Sequence, residues 1–147
     1  MNIRPFTIYD ASLLAEIHAQ SMDTAWSEQE FLTLLQTPTH GGWMIIIDDQ
    51  AVGFIMVSLL PPDAEVLTFC VLPKWRKQQI GQKLLQHFLT SCRHQIHNIF
   101  LEVAETNQPA INLYVKCGFK QIGVRKNYYY SSPNTPINAV VMRLYKK

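Results

Sequence analysis

Residues 43–60 constrain this chain more than any other segment. Trp43, Met44, Ile45, Ile46 and Ile47 form one run rich in β-formers, and residues 51–60 form another. Asp48, Asp49 and Gln50 between them read as a tight turn, so the two runs make a hairpin. On either side of this hairpin the apolar period is helical, which rules out an all-β chain.

Upstream, residues 3–6 read as a short strand, and Asp10 is placed to cap a helix in which Leu13, Leu14, Ile17 and His18 recur at helical spacing. A second helix begins after Trp26. Ser27 and Glu30 match a capping box, Phe31, Leu34 and Leu35 form the expected buried stripe, and Thr37-Pro38 ends it. Downstream, Pro61-Pro62-Asp63 breaks the hairpin, residues 65–71 make a further strand, and residues 73–76 a loop. The clearest helix follows. Ile80, Leu84, Leu85, Phe88, Leu89 and Cys92 share one face, with Gln82, Lys83, Gln86 and Arg93 mostly on the other.

Residues 98–103 read as a strand. Asn107 then caps a helix with Pro109 in its first turn, carrying Ala110, Ile111, Leu113 and Tyr114 and closed by Gly118. Two late strands, about 120–129 and 139–145, flank a loop over residues 131–136. The order is strand, two helices, three strands, helix, strand, helix, two strands: one mixed α/β domain over residues 1–147.

Composition excludes several functions. A length of 147 residues leaves no room for a second catalytic domain. With 48% hydrophobic and 16% charged residues the chain is not disordered. A net charge of +2, spread along the chain, gives no basic face for a nucleic acid. Cys70, Cys92 and Cys117 are an odd set without metal-type spacing, expected as reduced, partly buried thiols. No apolar run is long enough for a membrane span and no signal-type region opens the chain, so the expected location is the cytoplasm.

Two places can carry chemistry. Lys77, Gln78, Gln79, Ile80, Gly81 and Gln82 lead into a helix N-terminus, where unpaired N–H groups and the dipole suit a phosphate or pyrophosphate. A plain strand-to-helix connection would look the same, because anion loops usually hold more than one glycine. The second place is Glu102, inside an apolar strand on the face of Phe100 and Ala104. There a carboxylate tends toward a raised pKa and can serve as a base, unless the strand edge is wet. Tyr114, twelve residues on, offers a proton donor or a core ring. His94 and His97 make a metal pair only if further ligands join them. Tyr128, Tyr129 and Tyr130, beside Arg125 and Lys126, either line a pocket or alternate along a strand. No Ser or Cys sits in a nucleophile elbow.

Taken together these motifs resemble a known family. Residues 67–76 followed by Ile80-Gly81-Gln82-Lys83-Leu84-Leu85 resemble the acetyl-CoA signature of the GNAT N-acetyltransferases. Residues 100–103, Asn107, residues 110–114, Cys117-Gly118-Phe119 and Arg125-Lys126-Asn127-Tyr128-Tyr129 are similar to the RimI-type protein N-terminal alanine acetyltransferases within it. Trp26-Ser27 with Phe31 resembles that group's substrate-side helix. The resemblance implies a central, mostly antiparallel sheet flanked by helices, with acetyl-CoA as donor and no metal. Backbone at Phe69, Cys70 and Val71 would line the pantetheine arm, residues 77–82 would hold the pyrophosphate, and Asn107 would bond the cofactor. Glu102 would be the general base and Tyr114 the general acid, with Trp26, Tyr128 and Tyr129 on the acceptor side. The acceptor would be a protein N-terminal Ala or Ser, such as that of a ribosomal protein. The alternatives are a small-molecule amine or lysine side chain, or a non-catalytic acyl-CoA binder. The expected state is a monomer or weak dimer.

Three departures from the family pattern carry expectations. Gln79 stands where the loop has its first glycine; if φ is positive there, strain of order 1 kcal/mol follows and a Cβ crowds the pyrophosphate. Asn138 replaces an acidic residue before Ala139, and the loop is richer in amides than in cations.

Overall fold

The computed structural model describes residues 1–92, 94–132 and 135–146. Its strands are β1 (Asn2–Pro5), β2 (His40–Ile47), β3 (Gln50–Leu60), β4 (Asp63–Val71), β5 (Asn98–Ala104), β6 (Lys120–Ser132) and β7 (Thr135–Tyr145). Its helices are α1 (Ala11–Ser21), α2 (Glu28–Leu35), α3 (Ile80–Ser91) and α4 (Gln108–Lys116). The strands form a single sheet in the order β1-β2-β3-β4-β5-β7-β6, antiparallel except between β4 and β5. This is the expected order of elements and the expected mostly antiparallel sheet.

The β2–β3 turn is tighter than three residues. Asp48 and Asp49 both take positive φ, 52° and 63°, the pattern of a two-residue hairpin turn that matches strand twist. Gln50 already pairs with Ile47. Central β3 is buried from Val52 to Val57 without alternation, because helices cover both sheet faces. Register fixes which residue meets which layer. Met44, Phe54 and Cys70 lie in one cross-strand row, and Trp43, Ile55 and Phe69 in the next. Phe54 meets Phe31 of α2 at 5.8 Å between ring centres. Trp43 meets Phe88 of α3 at 5.8 Å. Thus α1 and α2 cover one face and α3 the other.

Several local expectations change. Asp10 does not cap α1 with its side chain. A 3-10 turn over Ile8–Asp10 comes first, capped by Thr7. Asp10 accepts the Thr7 amide at 2.8 Å and holds Arg4 at 3.1 Å. Ser27 does accept the Glu30 amide, at 3.1 Å, while Glu30 lines a groove described below. Only Phe31 of the α2 stripe is fully buried; Leu34 and Leu35 are half-buried. A 3-10 turn occupies Pro73–Trp75 in the loop that follows β4. His94 and His97 lie past the end of α3, and His97 Nδ1 bonds the Lys146 carbonyl at 3.0 Å. Among the described residues no group of His, Cys, Asp and Glu could hold a metal. The late strands run further than expected, into residues 131–136, of which Pro133 and Asn134 lie outside the described residues, as does Arg93 of the α3 face. Among the described residues no helix is long and apolar enough to cross a membrane.

The feature that positions the site is where two strands part. β4 and β5 pair only through Asp63 with Asn98, Ala64 with Ile99 and Glu65 with Phe100. Against β3, Met56 pairs with Thr68 and Val57 with Val66, so Leu67 is an extra residue that bulges. Past that bulge β4 keeps only β3, while β5 follows β7, and a cleft opens between them.

Candidate active site

One end of the cleft is built from backbone. After Val71 the chain turns through Pro73–Trp75, and Arg76 bonds the Val71 carbonyl at 3.1 Å and the Ser21 carbonyl at 2.9 Å. That pins the loop to β4 and to the end of α1. Lys77 and Gln79 both have φ 63°. The condition set for strain at Gln79, a positive φ, is therefore met, and Lys77 shares it. Gln79 is the N-cap of α3 and makes no side-chain cap bond. The first helical bond runs from the Lys83 amide to the Gln79 carbonyl at 3.1 Å. The amides of Ile80, Gly81 and Gln82 thus have no partner in the helix and point outward at its positive end. Lys77 and Gln78 are exposed beside them.

Gly81 sits where three elements meet. A Cβ there would stand 3.4 Å from Phe69 Cζ and 3.5 Å from a Leu113 methyl, so α3, β4 and α4 converge at this residue. Gln82 Oε1 accepts Lys116 Nζ at 3.2 Å, linking α3 to α4. Asn107 Oδ1 accepts the Ala110 amide at 3.3 Å as the N-cap of α4, and the residue is exposed. The Cys70 thiol is buried and pushed up to about 12 by that burial, against smaller opposing help from Ser21. A thiol held protonated in this way is a core group rather than a nucleophile.

The other end is built from side chains. Glu102 lies on the half-buried face of β5 with Phe100 and Ala104, as alternation requires. Its surroundings are not the apolar ones expected, because Arg125 reaches over from β6 and bonds both carboxylate oxygens at 3.0 and 3.2 Å. The same guanidinium lies 4.1 Å above the Tyr128 ring. Tyr114 is buried, with ring centres 6.2 Å from Phe69 and 5.6 Å from Phe119. Burial first, then the nearby Tyr129, raises its hydroxyl above the ordinary range, so it holds its proton at neutral pH. Burial first, then Tyr128 and Glu102, raises the Tyr129 hydroxyl against an opposing Arg125, so Tyr129 stands within electrostatic reach of both Tyr114 and Glu102.

A groove of about 550 Å³ lies on the α2 side, walled by Trp26, Glu30 and Leu34 and by Glu65, Leu67 and Tyr128. Tyr128 is 45% exposed and lines this groove, while Tyr129 beside it on β6 is half-buried, so for these two the readings coincide: a strand with one exposed ring, and that ring on a pocket. The structure thus gathers Phe69, Gly81 and Tyr114, joins Glu102 to Tyr128 through Arg125, and sets Trp26 opposite Tyr128. It leaves Lys77, Gln78 and Asn107 on the outer rim.

Two partners escaped sequence reasoning. The sequence places Arg125 beside the tyrosines and in the late motif but gives it no partner; its pairing with Glu102 depends on register across β7, where Glu102 faces Val141 and Arg125 faces Ala139. His18 appeared as one more residue in a helical stripe. It is 1% exposed and bonded through both ring nitrogens, to the Trp26 amide at 3.0 Å and to Thr68 Oγ1 at 2.9 Å. A histidine inside an otherwise apolar helix face was the available signal.

Comparison with known proteins bears on this arrangement. The family model described as "Acetyltransferase (GNAT) family" matches residues 11–119. The [ribosomal protein bS18]-alanine N-acetyltransferase of Haemophilus influenzae is 30% identical over 139 residues, covering 92% of each chain. The crystal structure of the ribosomal-protein-S18-alanine N-acetyltransferase from Escherichia coli superposes with a TM-score of 0.91 at 23% identity, over 98% of this chain and 92% of that one. Arabidopsis thaliana NAA60 in complex with acetyl-CoA shares the fold, with a TM-score of 0.84 at 17% identity over 98% and 97% of the chains. A split between β4 and β5, bare amides at the start of α3 and a family match over most of the chain lead to one conclusion: this protein belongs to the GNAT family of acetyl-CoA-dependent N-acetyltransferases.

Proposed function

We propose that this enzyme acetylates the α-amine of a protein N-terminus, with Ala or Ser in first place and a ribosomal protein as the natural acceptor. The observation that carries the reading is the groove of about 550 Å³ lined by Trp26 and Tyr128, which is open to the surface rather than closed around a small amine. The names of the relatives point the same way.

In this reading the amides at Ile80, Gly81 and Gln82, with Lys77, hold the pyrophosphate of acetyl-CoA, and Gln78, Gln79 and Asn107 border it. The unpaired edge of β4 at Phe69, Cys70 and Val71 lines the pantetheine arm and polarises the thioester carbonyl. Trp26, Tyr128 and Tyr129 hold the acceptor. An α-amine has a pKa of ~7.7–8.0, so part of it is neutral at working pH. Glu102 takes the amine proton directly or through water as the nitrogen attacks the thioester carbon. The C–N bond forms, the C–S bond breaks, and Tyr114 delivers its proton to the departing thiolate. A buried tyrosine that keeps its proton suits that role.

Paired synthetic peptides test the acceptor. One carries a free N-terminal Ala, the other a blocked N-terminus and an internal lysine, and mass spectrometry reads the acetyl increment. Acetylation of the first alone is expected; preferential modification of the lysine peptide overturns the reading.

A further inference from the structure

Residues 22–27 connect α1 to α2 and carry Trp26, one wall of the groove. At its α1 end this connection is held by the Met22 amide on the His18 carbonyl at 2.9 Å. At its α2 end the Trp26 amide donates to His18 Nδ1 at 3.0 Å. One residue therefore secures both ends. Because Nδ1 accepts, the ring proton sits on Nε2, which donates to Thr68 Oγ1 at 2.9 Å. Thr68 is buried in β4 directly after the bulged Leu67 and two residues before Cys70. The imidazole also stacks on Trp26 at 5.0 Å and 29°, and takes the Phe31 ring edge-on at 5.4 Å. The side chains it bonds or packs its ring against, Trp26, Phe31, Phe54 and Thr68, carry no charge. It is neutral at working pH, as an acceptor nitrogen requires.

We propose that His18 is a positioning residue that ties the Trp26 wall of the acceptor groove to β4, the strand that lines the donor cleft, and so sets the gap into which the acceptor enters. The inference deepens the acceptor reading above and rests on it for its kinetic consequence. His18 touches neither substrate. It acts through Trp26 on one side and Thr68 on the other, and a phenylalanine in its place would keep the ring contacts while removing both hydrogen bonds.

The test uses His18→Phe, His18→Asn and Thr68→Val in the full chain. Steady-state kinetics give KM separately for an Ala-peptide and for acetyl-CoA, and amide hydrogen exchange is followed at Trp26 and at Phe54 in β3. In His18→Phe the peptide KM should rise about tenfold, the size of one lost buried hydrogen bond, with the acetyl-CoA KM within about twofold. Exchange at Trp26 should speed up by about tenfold or more while Phe54 stays as in the wild type. His18→Asn keeps an acceptor near the Nδ1 position and should recover part of both effects. Thr68→Val leaves the histidine in place, should shift the peptide KM in the same direction, and serves if His18→Phe does not fold. Unchanged Trp26 exchange in both His18→Phe and Thr68→Val overturns the proposal. So does a parallel rise of both KM values with faster exchange at Phe54, which would mark general loosening. Exchange decides the anchor without reference to catalysis. A wild-type chain that acetylates no α-amine, yet loses Trp26 protection in His18→Phe, sinks the acceptor reading and upholds the anchor.

Discussion

Gln79→Gly separates what the donor loop does with its backbone from what it does with its side chains. Gln79 sits at φ 63° and ψ 17°, squarely left-handed, and caps α3 without a side-chain bond. A residue with a Cβ costs roughly 1–2 kcal/mol in that conformation. Glycine removes the strain but adds roughly 0.5–1 kcal/mol of unfolded-state entropy, leaving a net stabilisation of roughly 0–1.5 kcal/mol, centred near ~0.75 kcal/mol. With an unfolding entropy of ~2.1 cal/mol/K per residue, a chain of 147 residues changes by about 0.3 kcal/mol/K at its midpoint. Tm should therefore rise by about 2–3 °C in a thermal melt. Calorimetric titration with acetyl-CoA should show affinity held or improved by a few-fold, since a Cβ leaves the mouth of the amide cradle. Lys77→Gly is the matched comparison: φ is also 63°, so stability should rise similarly, but a cation is lost and affinity should fall. A lower Tm in Gln79→Gly refutes the strain argument. Weaker acetyl-CoA binding with a raised Tm would show that the Gln79 side chain itself holds the donor.

The remaining expectations concern chemistry and acid stability. Glu102→Gln and Tyr114→Phe should each lower kcat for an Ala-peptide by about tenfold or more with intact acetyl-CoA binding, in line with general acid–base contributions; full rates in both would remove those roles. His18 is depressed by burial to about 4 from an ordinary 6.5, so the unfolded chain takes up its proton first. That stability is complete above about pH 6.5 and declines as pH falls toward 4, by up to about 3 kcal/mol at 1.36 kcal/mol per pKa unit. Urea unfolding between pH 7 and 4.5 should show this slope in the wild type and lose most of it in His18→Phe; equal slopes would contradict it. Asp10 acts at lower pH, because the hydrogen bond from Arg4 holds its carboxyl below the usual range. Its contribution is present above the ordinary Asp pKa and lost as pH falls through the folded value, so Asp10→Asn should flatten the acid limb below about pH 4.

Local rules explain which elements were legible in the sequence. The hairpin at Asp48-Asp49, the Ser27 and Asn107 caps and the Gly118 stop at φ 102° each depend on a few adjacent residues. Asp10 was misjudged because Asp is a good cap in general, while here Thr7 offers a box one turn earlier and Arg4 claims the carboxylate. The cleft between β4 and β5 could not be read locally. Both strands have ordinary alternating patterns, and only tertiary register reveals that their pairing stops at Glu65 and Phe100. Arg125 on Glu102 and His18 on Thr68 span 23 and 50 residues, and no spacing rule reaches that far.

The two halves of the site also differ in what a sequence can change without harm. In the proposed reading the donor half consists of amides at the start of α3 and a strand edge without a neighbour, so apart from the Lys77 cation side chains there matter less than whether φ is tolerated at residues 77 and 79. That is why an amide-rich loop with Gln79 in place of glycine still fits the fold. The proposed acceptor half consists of side chains on four separate elements: Trp26 ahead of α2, Glu65 and Leu67 on β4, Glu102 on β5, and Arg125 and Tyr128 on β6. Each contact in it is a specific pair, so one substitution alters the shape or charge of the groove without disturbing the donor side. Acceptor choice should therefore change far more readily than use of acetyl-CoA, and within the acceptor half the positions to watch are those whose partners lie on another strand.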